Sequence, residues 1–342
     1  MLRSIVCETP NQFIMKNDLS KPEVPHGHAL VRIRYVGICG TDIHAYKGNQ
    51  PFFTYPRVLG HELSGTVEEI NDATCSLAPG TPVAIIPYMH CGQCLACKRG
   101  RTNCCTHMRV LGVHMDGGMQ DLLAVPIRHL IPVSIDSSLS LEHAALLEPL
   151  AIGAHAVARA ALEPGDTVLV IGAGPIGLGV MAFARAAGAT VIAMDMDEQR
   201  LTFSQSWAGV ATTVVAGDTA EDEIAEWTNG DMATTVFDAT GNVHSMNAAH
   251  RYAAHSGQVV FVGLVKNDIQ FYHPDVHKKE LSIHMSRNAT YTDFETVLAL
   301  LNTGELQMED YITHRCTLTE LPDTFESWLS PQARVIKAIV EL

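Results

Sequence analysis

Thr167-Val-Leu-Val-Ile-Gly-Ala-Gly-Pro-Ile-Gly177 is a run of strand-forming residues that breaks into G-x-G-x-x-G at Gly172, Gly174 and Gly177. Glycine-rich turns are common, so the pattern takes its meaning from its surroundings. It follows an apolar strand, opens a helix expected over 175–187, and is answered by Asp195 at the end of the next apolar run, 191–194. In such a unit Gly172 permits the tight turn. Gly174 lets backbone approach a pyrophosphate at the helix N-terminus, which Pro175 and Ile176 begin, and Gly177 lets helix and strand pack closely. Asp195 is placed to accept from the adenosine ribose hydroxyls. Its charge repels a 2′-phosphate, so NAD is expected over NADP, with Arg200 the one nearby group that softens the preference.

Outward from this turn the chain alternates. Strands are expected over 168–171, 191–194, 213–215, 235–238 and 259–263, with helices over 175–187, 198–207, 221–227 and 243–254. Strands alternating with helices of this length imply right-handed crossovers and a parallel sheet covered on both faces, an α/β doubly wound arrangement. The uncharged stretch 167–184 has the length of a membrane span, but its four glycines and Pro175 make it strand, turn and helix instead. The first ~145 residues read differently, as short β-rich segments near 29–36, 63–70 and 82–87 punctuated by Gly and Pro. A helical spacing follows over 141–162. After about residue 287 come two helices near 293–301 and 318–329 and a last strand over 335–341.

The chain has 342 residues, enough for two domains at roughly 150 residues each. With 23 Lys+Arg against 37 Asp+Glu the formal charge is −14. No basic stripe is present of the kind that phosphate backbones require, so nucleic acid is not an expected partner. The first ten residues contain no apolar core of an export signal, and a cytoplasmic location with no membrane partner is expected. Nine cysteines in a chain of this size do not read as a secreted disulfide framework.

Four of the cysteines do read as a metal site. Cys91, Cys94, Cys97 and Cys105 are spaced C-x2-C-x2-C-x7-C in a loop (about 90–106) with no apolar periodicity, and four thiolates that close suit a closed tetrahedral zinc. Cys104, beside the fourth, is an alternative register. A second, dispersed set consists of Cys39 in Gly37-Ile-Cys-Gly-Thr-Asp, His61 and Glu62 in Gly60-His-Glu, and Glu148 in Leu147-Glu-Pro. Mixed sulfur, nitrogen and oxygen donors from separate segments suit an open, catalytic zinc position.

These motifs arrive in the order found in the zinc-dependent medium-chain alcohol dehydrogenases, and the chain resembles the polyol and threonine dehydrogenase branch of that family over its whole length. The resemblance rests on Gly37-Ile-Cys-Gly-Thr-Asp-Ile-His44, Gly60-His-Glu-Leu-Ser-Gly65, the Cys91–Cys105 lobe, Glu148-Pro149, Gly172–Gly177 and Asp238-Ala-Thr-Gly241. It implies a GroES-like β-rich catalytic domain, 1–149 with 288–342, around a Rossmann coenzyme domain, 150–287. It implies two zinc ions per subunit and NAD. Cys39 and His61 become catalytic zinc ligands, with Glu62 or Glu148 taking the remaining protein position, and Thr41 and His44 match the family's proton relay. Thr240, Val262, Gly263 and Arg287 fall where relatives contact the coenzyme, Arg287 near nicotinamide and substrate. Homodimers or homotetramers are the family's usual state. Where the family's signature after Gly60-His-Glu ends in glycine this chain has Asn71, a residue that tolerates positive φ.

Longer strings, 48–62, Gly112-Val-His-Met-Asp-Gly-Gly118 and Ser286-Arg-Asn-Ala-Thr290, are similar to bacterial hexonate 5-dehydrogenases. That similarity implies oxidation of the C5 hydroxyl of L-gulonate or L-galactonate to the keto-acid. A hexonate carboxylate needs a cation, ideally a bidentate arginine. The candidates are Arg57 and Arg287, with His114, Lys278 and Lys279 weaker. The alternatives are a neutral polyol or threonine 3-dehydrogenase and, from another class, a non-catalytic NAD-sensing protein.

Overall fold

In the computed structural model, which describes residues 1–50, 53–135 and 139–342, the chain packs as two compact units. One comprises Met1–Glu148 with Gln307–Leu342, the other Pro149–Leu306. Pro51 and Phe52, inside the 48–62 string, lie outside the described residues.

The second unit is built on the alternation seen in the sequence. Its six strands lie in the order Thr212–Val215, Thr190–Asp195, Thr167–Ile171, Ala233–Asp238, Ala253–Phe261, Ser282–Met285, and every neighbouring pair is parallel. The order reverses direction between Thr167–Ile171 and Ala233–Asp238, which is where doubly wound sheets bind their ligands. Apolar side chains such as Leu169, Ile192, Val236 and Val259 are fully buried, because both faces are covered. Asp197 caps the helix Glu198–Ala208 by accepting from the Gln199 and Arg200 N–H groups, and Gly209 ends it at φ 65°.

Two sequence expectations change here. The helix expected over 141–162 is two, Leu141–Ala144 and Leu147–Ala160. Pro149 has no N–H to offer the Ala145 carbonyl, so one continuous ladder cannot pass that point. Residues 288–306, assigned from sequence to the first domain, pack with the second unit instead. The helix Tyr291–Leu301 buries Phe294 and Val297. Asp293 also ties it to the helix Leu147–Ala160, accepting from Thr290 N–H and Oγ1 (both 2.7 Å) with His155 Nδ1 2.9 Å away.

In the first unit the eleven-residue strand His28–Ile38 is the hub. It runs antiparallel to Glu62–Ile70, to Leu122–Pro126 and to Lys337–Glu341. The last of these also pairs in parallel with Ile312–Thr317, so the C-terminal strand lies inside a seven-stranded sheet rather than at its edge. A separate sheet of Gln12–Leu19, Leu2–Thr9 and Arg57–Val58 completes the β-rich half. At Asn71 the turn does not use positive φ; Gly27 does (φ 75°). Asn71 instead holds the turn through Nδ2, which donates to the Val24 carbonyl at 2.7 Å.

Candidate active site and metal centres

Cys39 ends the hub strand and caps the short helix Gly40–Tyr46. Its N–H donates to Asp42 Oδ2 at 2.9 Å, and Asp42 Oδ1 accepts from the Gly60 N–H at 3.1 Å. One buried carboxylate therefore pins together the two backbone segments that carry Cys39 and His61. The His61 Nδ1 lies 3.6 Å from Asp42 Oδ1, an ion-pair separation that leaves this buried nitrogen without a hydrogen-bond partner. Burial alone would lower the His61 pKa, but the charges of Asp42 and Cys39 outweigh it and hold it well above the ordinary imidazole range. A metal ion would displace that proton.

One donor atom each from Cys39, His61 and Glu62 fall within 4.8 Å of one another, and His61 and Glu62 are buried. Softness and number suit zinc, with a position left open. Glu148, at the start of Leu147–Ala160, is also buried and accepts from the Tyr88 hydroxyl. Burial raises its pKa to about 7, with the Glu62 charge adding and His61 opposing. Glu148 thus feels both other residues, but the close set among the described residues contains Glu62. Thr41 and His44 lie one turn apart on Gly40–Tyr46, Thr41 half-buried and His44 exposed, as an inside-to-outside relay requires.

The four-cysteine lobe passes a geometric test. Tetrahedral zinc with Zn–S bonds of ~2.3 Å sets its sulfurs about 3.8 Å apart. Here Cys94 Sγ is 3.5 Å from Cys97 Sγ and 3.9 Å from Cys105 Sγ, and Cys105 Sγ is 3.5 Å from Cys91 Sγ. Cys105 is buried and Cys104 exposed, which decides the register. The N–H groups of Gln93 and Cys94 donate to Cys91 Sγ at 3.4 Å and pull its pKa down to about 7, while the backbone at Cys97 and Thr106 pulls Cys94 to about 5. Cys91 and Cys94 are thereby prepared to be thiolates, while burial and the contact with Cys94 push the Cys97 thiol up to about 12.

In the second unit Gly172, Gly174, Pro175, Ile176 and Gly177 form the turn and first helical residues of Pro175–Ala186. A helix leaves its first-turn N–H groups without internal acceptors, so those of Ile176 and Gly177 are available to an anion. A Cβ on Gly172 would lie 3.1 Å from Thr240 Cγ2, so the turns after the two central strands are neighbours. Asp238, buried, organises the second turn by accepting from Thr240 N–H (2.9 Å), Thr240 Oγ1 (2.6 Å) and Ser245 Oγ (2.5 Å). Its carbonyl accepts from the Val262 and Gly263 N–H groups. Asp195 stands at the end of its strand as expected, and already accepts from Ala173 N–H at 2.6 Å and Asp197 N–H at 2.9 Å. Arg200 reaches the turn, its Nη1 3.8 Å from where a Gly174 Cβ would be.

Several expected substrate cations are committed elsewhere. Arg57 Nη1 donates to Asp116 (3.2 Å) and Nη2 to Thr54 (3.1 Å). His114 Nδ1 accepts from Val110 N–H at 3.1 Å. Lys278 pairs with Asp275, and Lys279 Nζ donates to the carbonyls of His250, Arg251 and Ala253. Arg287 is exposed after the edge strand Ser282–Met285. Sequence reasoning missed Asp42, Tyr88, Asp238 and Lys337. Asp42 and Asp238 sit in the quoted motifs and Lys337 is a lone charge in an apolar strand, so each left some signal; Tyr88 left none.

A nucleotide-binding α/β sheet and a β-rich unit with two zinc-type donor sets together define a zinc-dependent, nicotinamide-linked oxidoreductase. Residues 25–135 match the alcohol dehydrogenase GroES-like domain and residues 175–303 the zinc-binding dehydrogenase family. The chain is 42% identical over 339 residues to L-galactonate-5-dehydrogenase of Escherichia coli (strain K12), covering 98% of each. It is 30% identical to a sorbitol dehydrogenase of Bacillus subtilis (strain 168), covering 94% of this chain and 92% of that one. Among solved structures, the alcohol dehydrogenase rspB from E. coli CFT073 in complex with NADH superposes with a TM-score of 0.91 at 29% identity, covering 100% and 99% of the two chains. The chain belongs to the zinc-dependent medium-chain alcohol dehydrogenases, oxidoreductases that act on CH–OH donors with zinc and NAD(H). No helix among the described residues is long and apolar enough to cross a membrane.

Proposed function

We propose that this dehydrogenase oxidises a secondary alcohol of a sugar acid, the C5 hydroxyl of L-gulonate or L-galactonate, to the keto-acid. The observation that carries the chemistry is the buried convergence of Cys39, His61 and Glu62 within 4.8 Å, braced by Asp42. In this reading these residues, with Glu148 beside them, hold the catalytic zinc, and Cys91, Cys94, Cys97 and Cys105 hold the structural one. Zinc and NAD, when bound, supply Lewis acidity toward the alcohol oxygen and an acceptor for the hydride on its carbon. The protein's own work is positional and protonic. Thr41 takes the hydroxyl proton and His44, one turn on and exposed, delivers it to solvent. The turn at Gly172–Gly177 seats the pyrophosphate, with Thr240, Val262 and Gly263 lining the neighbouring turn.

The sugar-acid assignment draws its support from the 42% identical relative. Arg287 is then the residue to meet the carboxylate. The Arg57, Lys278 and Lys279 partnerships favour a second reading, a neutral polyol substrate. A panel of L-gulonate, L-galactonate, sorbitol and threonine with NAD separates them. With a sugar acid, Arg287→Ala raises KM for the hexonate about tenfold or more, the loss of one charge-assisted contact, and leaves sorbitol nearly unaffected. Equal losses on both substrates point to a coenzyme role for Arg287, and no turnover at all with tight NAD binding points to a sensor.

Coenzyme choice rests on Asp195. The ratio of kcat/KM for NAD over NADP is expected to fall about tenfold or more in Asp195→Ser, since the repulsion of a 2′-phosphate goes with the carboxylate. A ratio is used because the variant also loses the Ala173 and Asp197 contacts, which lower stability equally for both coenzymes. We further propose a cytoplasmic homodimer or homotetramer; the mass in solution, by light scattering, decides the subunit count.

A further inference from the structure

The ends of three adjacent strands meet beside Cys39. In register, Gly37 opposes Glu62 on one side and Ile339 on the other, and Ile38 opposes Ala338. Gly37 has no side chain, and the Glu62 carboxylate occupies the space: a Cβ on Gly37 would lie 2.0 Å from Glu62 Oε2. Glu62 thus reaches across the hub strand to Lys337. The Lys337 Nζ donates to Glu62 Oε1 at 2.7 Å and Oε2 at 2.8 Å, and to the Ile38 carbonyl, immediately before Cys39, at 3.1 Å. The Lys337 side chain is 2% exposed and that of Glu62 0%.

A fully buried ion pair is a poor device for stability, because desolvation offsets most of the attraction. A buried ammonium next to a prospective dication is stranger still, since like charges repel. Its three bonds supply the reason, for they join two of the segments that carry metal donors.

We propose that Lys337 is a positioning residue for the Cys39–His61–Glu62 donor set, its ammonium cross-bracing the backbone before Cys39 to the carboxylate of Glu62 and so setting how long the site keeps its metal. This rests on the assignment of that set as the catalytic zinc site. In this role Lys337 acts through the Glu62 carboxylate and the Ile38 carbonyl. By binding both oxygens of Glu62 it fixes the carboxylate's position, and by sharing its charge it keeps Glu62 from saturating the metal. Asp42 performs the corresponding service for Cys39 and His61, so each donor is held from behind.

The test is zinc release from the full-length holoenzyme to a chromogenic chelator. The phase belonging to this site is identified as the one missing from Cys39→Ala; the other phase belongs to the four cysteines. Lys337→Met is expected to speed the Cys39 phase tenfold or more, the usual scale for losing a partner behind a ligand, and to leave the four-cysteine phase unchanged. Lys337→Arg, which keeps charge and reach, restores release to within about threefold of wild type. Because Lys337 acts through Glu62, the double variant Glu62→Gln/Lys337→Met releases zinc no faster than Glu62→Gln alone. Release from Lys337→Met within twofold of wild type overturns the proposal, as does a double variant faster than Glu62→Gln. If Lys337→Met does not fold, the charge-balanced double variant against Glu62→Gln carries the test. A wild-type enzyme whose only release phase survives in Cys39→Ala sinks the site assignment itself, a result distinct from either of these.

Discussion

Replacing Cys39 with alanine is expected to abolish turnover while coenzyme binding survives nearly intact. The thiolate is the one sulfur donor of the Cys39, His61 and Glu62 set. A metal that polarises the reacting oxygen contributes several kcal/mol of barrier, and each ~1.4 kcal/mol is a factor of ten, so kcat should fall about a thousandfold or more. NAD binding is expected to hold because the Gly172–Gly177 turn, Asp195 and Thr240 belong to a unit with its own core. The measurement is kcat on the substrate panel beside a fluorescence titration with NADH. The structural zinc should remain, so metal content falls from two to one per chain. Activity persisting in metal-free Cys39→Ala would end the zinc mechanism.

The second large effect is expected at Gly177, and its value lies in the contrast with Gly174. A Cβ on Gly177 would sit 1.8 Å from the Gly172 carbonyl oxygen, a backbone atom that can move only if the turn moves. Gly177→Ala must therefore displace the pyrophosphate seat and loosen the packing of helix on strand. A tenfold or greater rise in NADH Kd is expected, with a fall in Tm of several degrees, the scale of a ~1–3 kcal/mol steric insult. At Gly174 the nearest atom to an added Cβ is Arg200 Nη1 at 3.8 Å, an ordinary contact. Gly174→Ala should leave Tm within about a degree while still weakening NADH, because the methyl stands where a phosphate must approach. Equal Tm losses in the two variants would refute this division of labour between packing and ligand access.

The coenzyme half was legible because its signals are local. Strand and helix periods alternate, and Gly177 answers to Gly172 only five residues before it. The β-rich half was legible only in part. His28–Ile38 and Glu62–Ile70 announced themselves, but the hairpin Leu2–Thr9 and Gln12–Leu19 did not, since Lys16, Asn17 and Asp18 interrupt any apolar run. The metal donors were visible as motifs, whereas what braces them was not. Asp42 stands within a visible motif, but its work depends on Gly60, which only the fold brings near. Lys337 was harder, for it reads as a stray charge between Ile336 and Ala338 until Glu62 is found beside it. The break at Pro149 is legible in the proline itself, although apolar spacing continues through it. Residues 288–306 show a different failure: contacts far away in sequence, such as that of Asp293 with His155, decide which unit they join.

The C-terminal strand has a consequence for how the protein is made. A ribosome delivers Cys39, His61 and Glu62 early, but the ammonium that braces Glu62 arrives 275 residues after it. The hub strand cannot acquire its neighbour Lys337–Glu341, nor Ile312–Thr317 the partner that seats it in the sheet, until those distant residues have been made. In the proposed assignment the reacting centre gains its brace only once that distant strand has been made, while the four-cysteine lobe, closed within fifteen residues of chain, has all its donors together at once. A chain that stops short of Lys337 would carry the whole coenzyme unit and all four cysteines of the lobe yet lack the brace on Glu62.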